Sequence, residues 1–292
     1  MSSRHAEAVR RRWEQLDWST SIHERALVIP ERHYMDLGGV GLTGDQRLGL
    51  NRLMACFTCE LFIHFEAYVI GYFERGAGRI PDLSAEARAR FADEEVVHSE
   101  MFARLLTKLR PDLYDGATAG RRFLVWGRPD DLALRLAPPA TFFFLAWLFE
   151  EITLFMPAAM AEAPEEACAL VRDVMDLHAR EEQPHVAIDA HVLARVNDRS
   201  WRVSSWLQAA LALPLLLYVD RRVRAAWRRL CAHATVELDL TPAQRAKVEA
   251  RGPTRSDVLG MESFAEKVGA SRLTGAKLLS WALARALRRA RA

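Results

Sequence analysis

Apolar residues recur along most of this chain at intervals of three and four, the period of amphipathic helices. Thr43-Gly44-Asp45-Gln46 has the form of a capping box, and the long segment that follows reaches about Arg75, where Gly76-Ala77-Gly78 and Pro81 break it. Ser84 is placed to cap a second helix that runs to Arg110 and stops at Pro111. Residues 111–137 read as loop, with glycine turns and Trp126. A third helix starts after Pro138-Pro139 and ends near Ala161, and a fourth runs from Pro164-Glu165-Glu166 to about Val196. Further helices are expected over about 200–218, about 220–235, from the second capping box Thr241-Pro242-Ala243-Gln244, and over about 271–290. Residues 1–42 form an irregular or partly helical arm. No run alternates with a period of two in β-branched residues, so the expected class is all-α.

Each of the four central helices carries an acid inside its apolar stripe. The stripes are Leu53, Phe57, Glu60, Ala67 and Ile70; Phe91, Glu95, His98, Phe102 and Leu105; Phe144, Leu148, Glu151, Phe155 and Ala158; and Val171, Met175, His178, Glu182, His185 and Val192. A buried, ionised carboxylate costs several kcal/mol unless it is paired or binds a metal. Two of the four helices repeat one motif, Glu95-Val96-Val97-His98 and Glu182-Gln183-Pro184-His185. A Glu and a His three residues apart share a helix face, so both donors reach one point. Two such motifs plus an acid from each of two further helices are the ligand set of di-iron bundles. His178 lies four residues before Glu182 on the same face, which makes four Glu and three His in all.

The expected metal ligands are therefore Glu60, Glu95, His98, Glu151, His178, Glu182 and His185, with no catalytic side chain beyond them. Glu151 is preferred to its neighbour Glu150 because its stripe is more apolar, and Glu60 is preferred to Glu66 and His64 for the same reason. Carboxylates mixed with imidazoles suit iron or manganese better than structural zinc. Pro184 removes a backbone hydrogen bond inside the fourth helix and is expected to kink it beside His185.

On Glu60, Glu95-x-x-His98, an acid at Glu150 or Glu151, and His178-x-x-x-Glu182-x-x-His185, the chain resembles the p-aminobenzoate N-oxygenases, AurF-like arylamine oxygenases. The resemblance implies a ferritin-like four-helix bundle with added N- and C-terminal helices. It also implies a centre of two iron ions bridged by Glu95 and Glu182, with His178 as third nitrogen ligand. O2 would be co-substrate, and a small-molecule substrate, an amine, would be N-oxygenated in secondary metabolism. A desaturase or hydroxylase sharing the two Glu-x-x-His motifs is the nearest other reading, although it would not need His178. Outside enzymology, a ferritin-like metal-binding protein or a helical interaction protein remains.

Composition adds exclusions. The formal charge of +2 in 292 residues gives no footing for nucleic acid, and the 27% of charged residues is ordinary for a globular chain. A single domain over 1–292 is expected, divided into the arm 1–42, the metal-binding bundle 43–196 and accessory helices 197–292. Neither the run from Phe142 nor that from Leu207 is a membrane span of the roughly 20 residues required, and the N-terminus has no signal-like apolar core, so a cytoplasmic protein is expected. The basic helix near 271–290 is expected to pack on the domain or on a second subunit of a homodimer. Cys56 and Cys59 form C-x-x-C without the βαβ setting of a redox site and read as buried helix cysteines. Gly39-x-Gly41-x-x-Gly44 fits a dinucleotide fingerprint but follows no buried strand. With no flavin, nicotinamide or iron–sulfur motif, electrons must come from an external reductase or ferredoxin.

Overall fold

In the computed structural model, the residues described are 4–22, 26–31, 37–76, 83–115, 122–137, 139–199 and 202–252. Among them there are eight α-helices, one short 3-10 turn and no strand, which makes the class all-α. The helices are α1 (Arg4–Glu14), α2 (Gly44–Gly76), α3 (Ala85–Leu109), α4 (Arg128–Leu136), α5 (Pro139–Glu162), α6 (Ala169–Arg199), α7 (Arg202–Glu237) and α8 (Pro242–Ala250).

Local chemistry explains the boundaries. At Thr43 the backbone N–H donates to Gln46 Oε1 (3.0 Å) while the Gln46 N–H donates to Thr43 Oγ1 (3.2 Å), the reciprocal pair of a capping box. Thr241 and Gln244 repeat it at the start of α8, at 2.8 and 3.2 Å. The two boxes touch: Gln244 Nε2 donates to Gln46 Oε1 and to the Gly41 carbonyl, and Gln46 Nε2 donates to the Leu238 carbonyl. Gly39 and Gly41 adopt positive φ (+70° and +83°), so their glycine spacing serves a turn.

Three expected boundaries are corrected. Residues 128–136, read as loop, form α4, because the Asp130 carboxylate accepts from the Gly127 N–H (2.7 Å) and Pro129 suits a first turn. The fourth bundle helix starts at Ala169, since Pro164–Glu166 makes only a 3-10 turn and the Cys168 N–H is tied to the Val28 carbonyl. The helices expected on either side of residue 219 are one, α7: it carries Pro214 in its interior and runs on through Asp220, which accepts from Arg224 one turn on. The expected helix over 271–290 lies outside the described residues.

α2 packs along α3 and α5 along α6, while α7 lies against α2 and α5, and α1 covers α3. Two apolar clusters fill the interior. One joins Phe62, Phe102 and Leu177 to α1 and α7; the other joins Val69, Phe73, Phe91 and Val192 to α4 and α5. The buried acids and histidines Glu66, Glu95, His98, Glu150, His178, Glu182, His185 and Asp189 lie on α2, α3, α5 and α6, the helices that also supply both clusters, whereas Glu60 and Asp130 are buried apart from them. α2 is long and apolar enough to cross a membrane by composition, yet 67% of its most apolar window is buried in the bundle.

Candidate metal centre

The two Glu-x-x-His motifs meet across the interface of α3 and α6. His98 Nδ1 stands 3.1 Å from Glu95 Oε2 and 3.0 Å from Glu182 Oε1. His185 Nδ1 stands 2.9 Å from Glu182 Oε2 and 3.0 Å from Glu95 Oε1. His178 Nε2 lies 2.8 Å from Glu182 Oε1 and 3.3 Å from Glu66 Oε1. Donor atoms of Glu66, His98, His178 and Glu182 fall within 4.8 Å of one another, and so do those of Glu95, Glu150, Glu182 and His185. Glu182 belongs to both groups. All seven side chains are buried.

The outward nitrogens of two histidines are held by acids that the sequence reading passed over. His98 Nε2 is 3.2 Å from Glu181 Oε2, and His185 Nε2 is 2.8 Å from Glu94 Oε2. Each motif is thus preceded by a second glutamate, and that glutamate steadies the histidine of the opposite motif. The doubled Glu94-Glu95 and Glu181-Glu182 were the available signal. A carboxylate on the far nitrogen fixes the ring and raises its basicity as a ligand. α1 completes the arrangement. Trp13 Nε1 and Arg12 Nε both donate to Glu181 at 2.7 Å, Arg90 Nε donates to Glu94 at 3.0 Å, and His5 also contacts Glu94.

The opposite side of the cluster is short of donors. Outside the Glu150–Asp189 pair itself, neither oxygen of Glu150 nor of Asp189 has a hydrogen-bond partner among the described residues. Burial and then the neighbouring acids push the Glu66, Glu150 and Asp189 carboxyls well above their usual range. Burial acts the same way on Glu182, but His185 and His178 outweigh it and hold that carboxyl low. Burial opposes protonation of His98 and His185, yet the surrounding carboxylates raise both. Orphaned carboxylate oxygens, three imidazoles and pKa values driven apart are what a donor set for hard or borderline cations presents. The residues present fit such ions.

Of the sequence-selected residues, Glu95, His98, His178, Glu182 and His185 come together, and Pro184 leaves His185 in place within a continuous α6. Glu60 does not join them. It is buried elsewhere, accepting from Tyr114 Oη (2.6 Å) and from the backbone N–H groups of Arg122 (3.2 Å), Phe123 and Leu124 (2.7 Å each). Glu66, one of its weighed competitors, occupies the cluster. On α5 it is Glu150 that reaches the cluster, while the Glu151 side chain lies outside the described residues. Cys56 and Cys59 are free and buried, with burial raising both thiols.

A family model described as P-aminobenzoate N-oxygenase AurF matches residues 4–269. No curated protein and no solved structure matches the chain.

Proposed function

The chain belongs to the p-aminobenzoate N-oxygenase AurF family, and from that premise we propose that it is a non-haem di-iron oxygenase acting on the nitrogen of an arylamine. The observation that carries the reading is the pair of four-donor groups sharing Glu182. Glu66, His98, His178 and Glu182 would hold one iron, and Glu95, Glu150, Glu182 and His185 the other. This assignment replaces Glu60 and Glu151 by Glu66 and Glu150. When bound, iron supplies the binding and reduction of O2 that no side chain can perform.

The chain's own contribution is positional. Glu182 presents one oxygen to each group, so it sets the relation between them. Glu94 and Glu181 keep the far nitrogens of His185 and His98 occupied, leaving Nδ1 of each ring directed at the cluster. Phe62 and Phe102 stack against each other (4.8 Å) and edge onto His178, which keeps water from that face. Overall, an arylamine, O2, two electrons and two protons would give the N-hydroxylamine and water, with the electrons from an external reductase or ferredoxin.

The test is iron analysis after anaerobic Fe(II) loading, followed by reaction of an arylamine with labelled O2 and a reductant. About two irons per chain are expected, with oxygen from O2 in a product oxidised at nitrogen. A chain that retains no transition metal after loading would sink the proposal. So would oxygen transfer to carbon alone.

A further inference from the structure

The two carboxylates that occupy the far histidine nitrogens are themselves held by different means. Glu94, on α3, takes Arg90 from its own helix one turn earlier, in addition to His5 of α1. Glu181, on α6, has no such support from the bundle. Among the described residues its donors besides His98 are Arg12 Nε on Oε1 and Trp13 Nε1 on Oε2, each at 2.7 Å and both from α1. Oε2 is also the oxygen 3.2 Å from His98 Nε2, so the indole N–H and the imidazole meet on one atom. Trp13 is fully buried, and its ring centroid lies 6.1 Å from that of His98 and 6.4 Å from that of His178. Both histidines belong to the group of Glu66, His98, His178 and Glu182.

A glutamate side chain has several rotatable bonds, and one contact to a ring nitrogen does not fix them. A cleft of about 250 Å³, with His5, Arg12, Arg90, Glu94 and Glu181 in its walls, opens beside that carboxylate. Without its two donors from α1, Glu181 would turn into the cleft, and His98 would lose the contact that orients its ring. The hold on His98 therefore depends on the docking of α1. That helix has only eleven residues, too few to be stable alone. It is kept in place by the buried Ala6, Val9 and Trp13, by the Arg10–Glu100 pair, and by Trp18, which donates to the Trp13 carbonyl at 2.8 Å and lies under the Arg104 guanidinium.

We propose that Trp13 and Arg12 are positioning residues for one iron of the pair. Acting through Glu181 they orient His98, and so set how firmly the group of Glu66, His98, His178 and Glu182 retains its metal. The other group, whose His185 is backed by Glu94 and Arg90, keeps its iron without them. The assignment rests on the di-iron reading and goes beyond it: the two irons are unequal, and the N-terminal helix is part of the centre.

The test is release of Fe(II) from the anaerobically loaded full chain into excess ferrozine, followed by absorbance. Trp13→Phe keeps a ring and removes the N–H. It should release one of the two irons about 10-fold faster than wild type, and the second at the wild-type rate. Arg12→Met changes a half-exposed side chain, which keeps the test open if the first variant misfolds; it should speed the same iron about 3-fold. Combined with Glu181→Gln, Trp13→Phe should add under about 2-fold, because its effect passes through that carboxylate. Equal acceleration of both irons, no acceleration in either variant, or a full additional 10-fold in the double variant would overturn the proposal. A wild-type chain that takes up no iron would instead sink the di-iron reading on which it rests.

Discussion

Two groups of buried acids in this bundle look alike in burial and opposite in bonding. Asp130 and Glu60 each collect a full set of donors from tyrosines and backbone amides, to which Arg222 adds at Asp130. Glu150 and Asp189 are as deeply buried, yet outside their own pair their oxygens have no partner among the described residues. The first kind of acid is finished by the protein. The second is unfinished, and the fold carries it at a cost that a bound cation removes. Saturation separates the two groups of acids; depth does not.

The sharpest break in this comparison is Glu182→Ala. Because Glu182 serves both donor groups, the variant should fall from about two irons per chain to near none, with its helical circular dichroism unchanged. Retention of two irons would show that the groups do not depend on their shared carboxylate.

At Asp130 the reverse is expected. Asp130→Asn should keep its iron but lose about 3 kcal/mol, seen as a fall in Tm of roughly 6–12 °C. The folded carboxyl is held below its ordinary range, so its stabilisation is present above the unfolded carboxylate pKa and is lost as pH falls through the folded value. The gap in Tm between wild type and Asp130→Asn should therefore close in acid. A gap that persists there would mean that packing, not charge, is what the variant removed.

Glu94→Gln and Glu181→Gln lie between the two kinds, as each acid is saturated but acts on a cluster histidine. Either should weaken iron affinity about 10- to 100-fold in competition with a chelator while still filling at excess iron. Unchanged affinity would reduce these glutamates to packing.

The smallest effect sharpens the contrast most. In the iron-free chain Glu150→Gln should raise stability by about 1 kcal/mol, because it removes one of two acids crowded together without donors. Glu60→Gln should lower it. If both variants move Tm in the same direction, bonding state is not the property that separates the two groups.

The helical class and the meeting of the α3 and α6 motifs were legible in the sequence, because Glu-x-x-His spacing is a local property that a helix converts directly into geometry. The α2 acid was not. Glu60 and Glu66 both sit among apolar neighbours, and what separates them is a partner far along the chain: Tyr114 and the backbone of 122–124 claim Glu60. The Glu150–Glu151 choice was of the same kind, since α5 is apolar around its whole circumference and offers no face to read. α4 was hidden for another reason. Its nine residues are capped by Asp130, whose partners Tyr68, Tyr218 and Arg222 lie in α2 and α7.

The pair of touching capping boxes bears on how the chain is made. Gln46, at the first turn of α2, has besides the local Thr43 N–H two side-chain partners at Leu238 and Gln244, about two hundred residues downstream. A nascent chain emerging from the ribosome therefore carries the start of α2 without these contacts until residue 244 of 292 has been synthesised. Folding has to nucleate away from that end, in the closer-range packing of α5 on α6 or of α2 on α3. The turn around Gly41 then closes last, as a seam joining the two ends of the bundle.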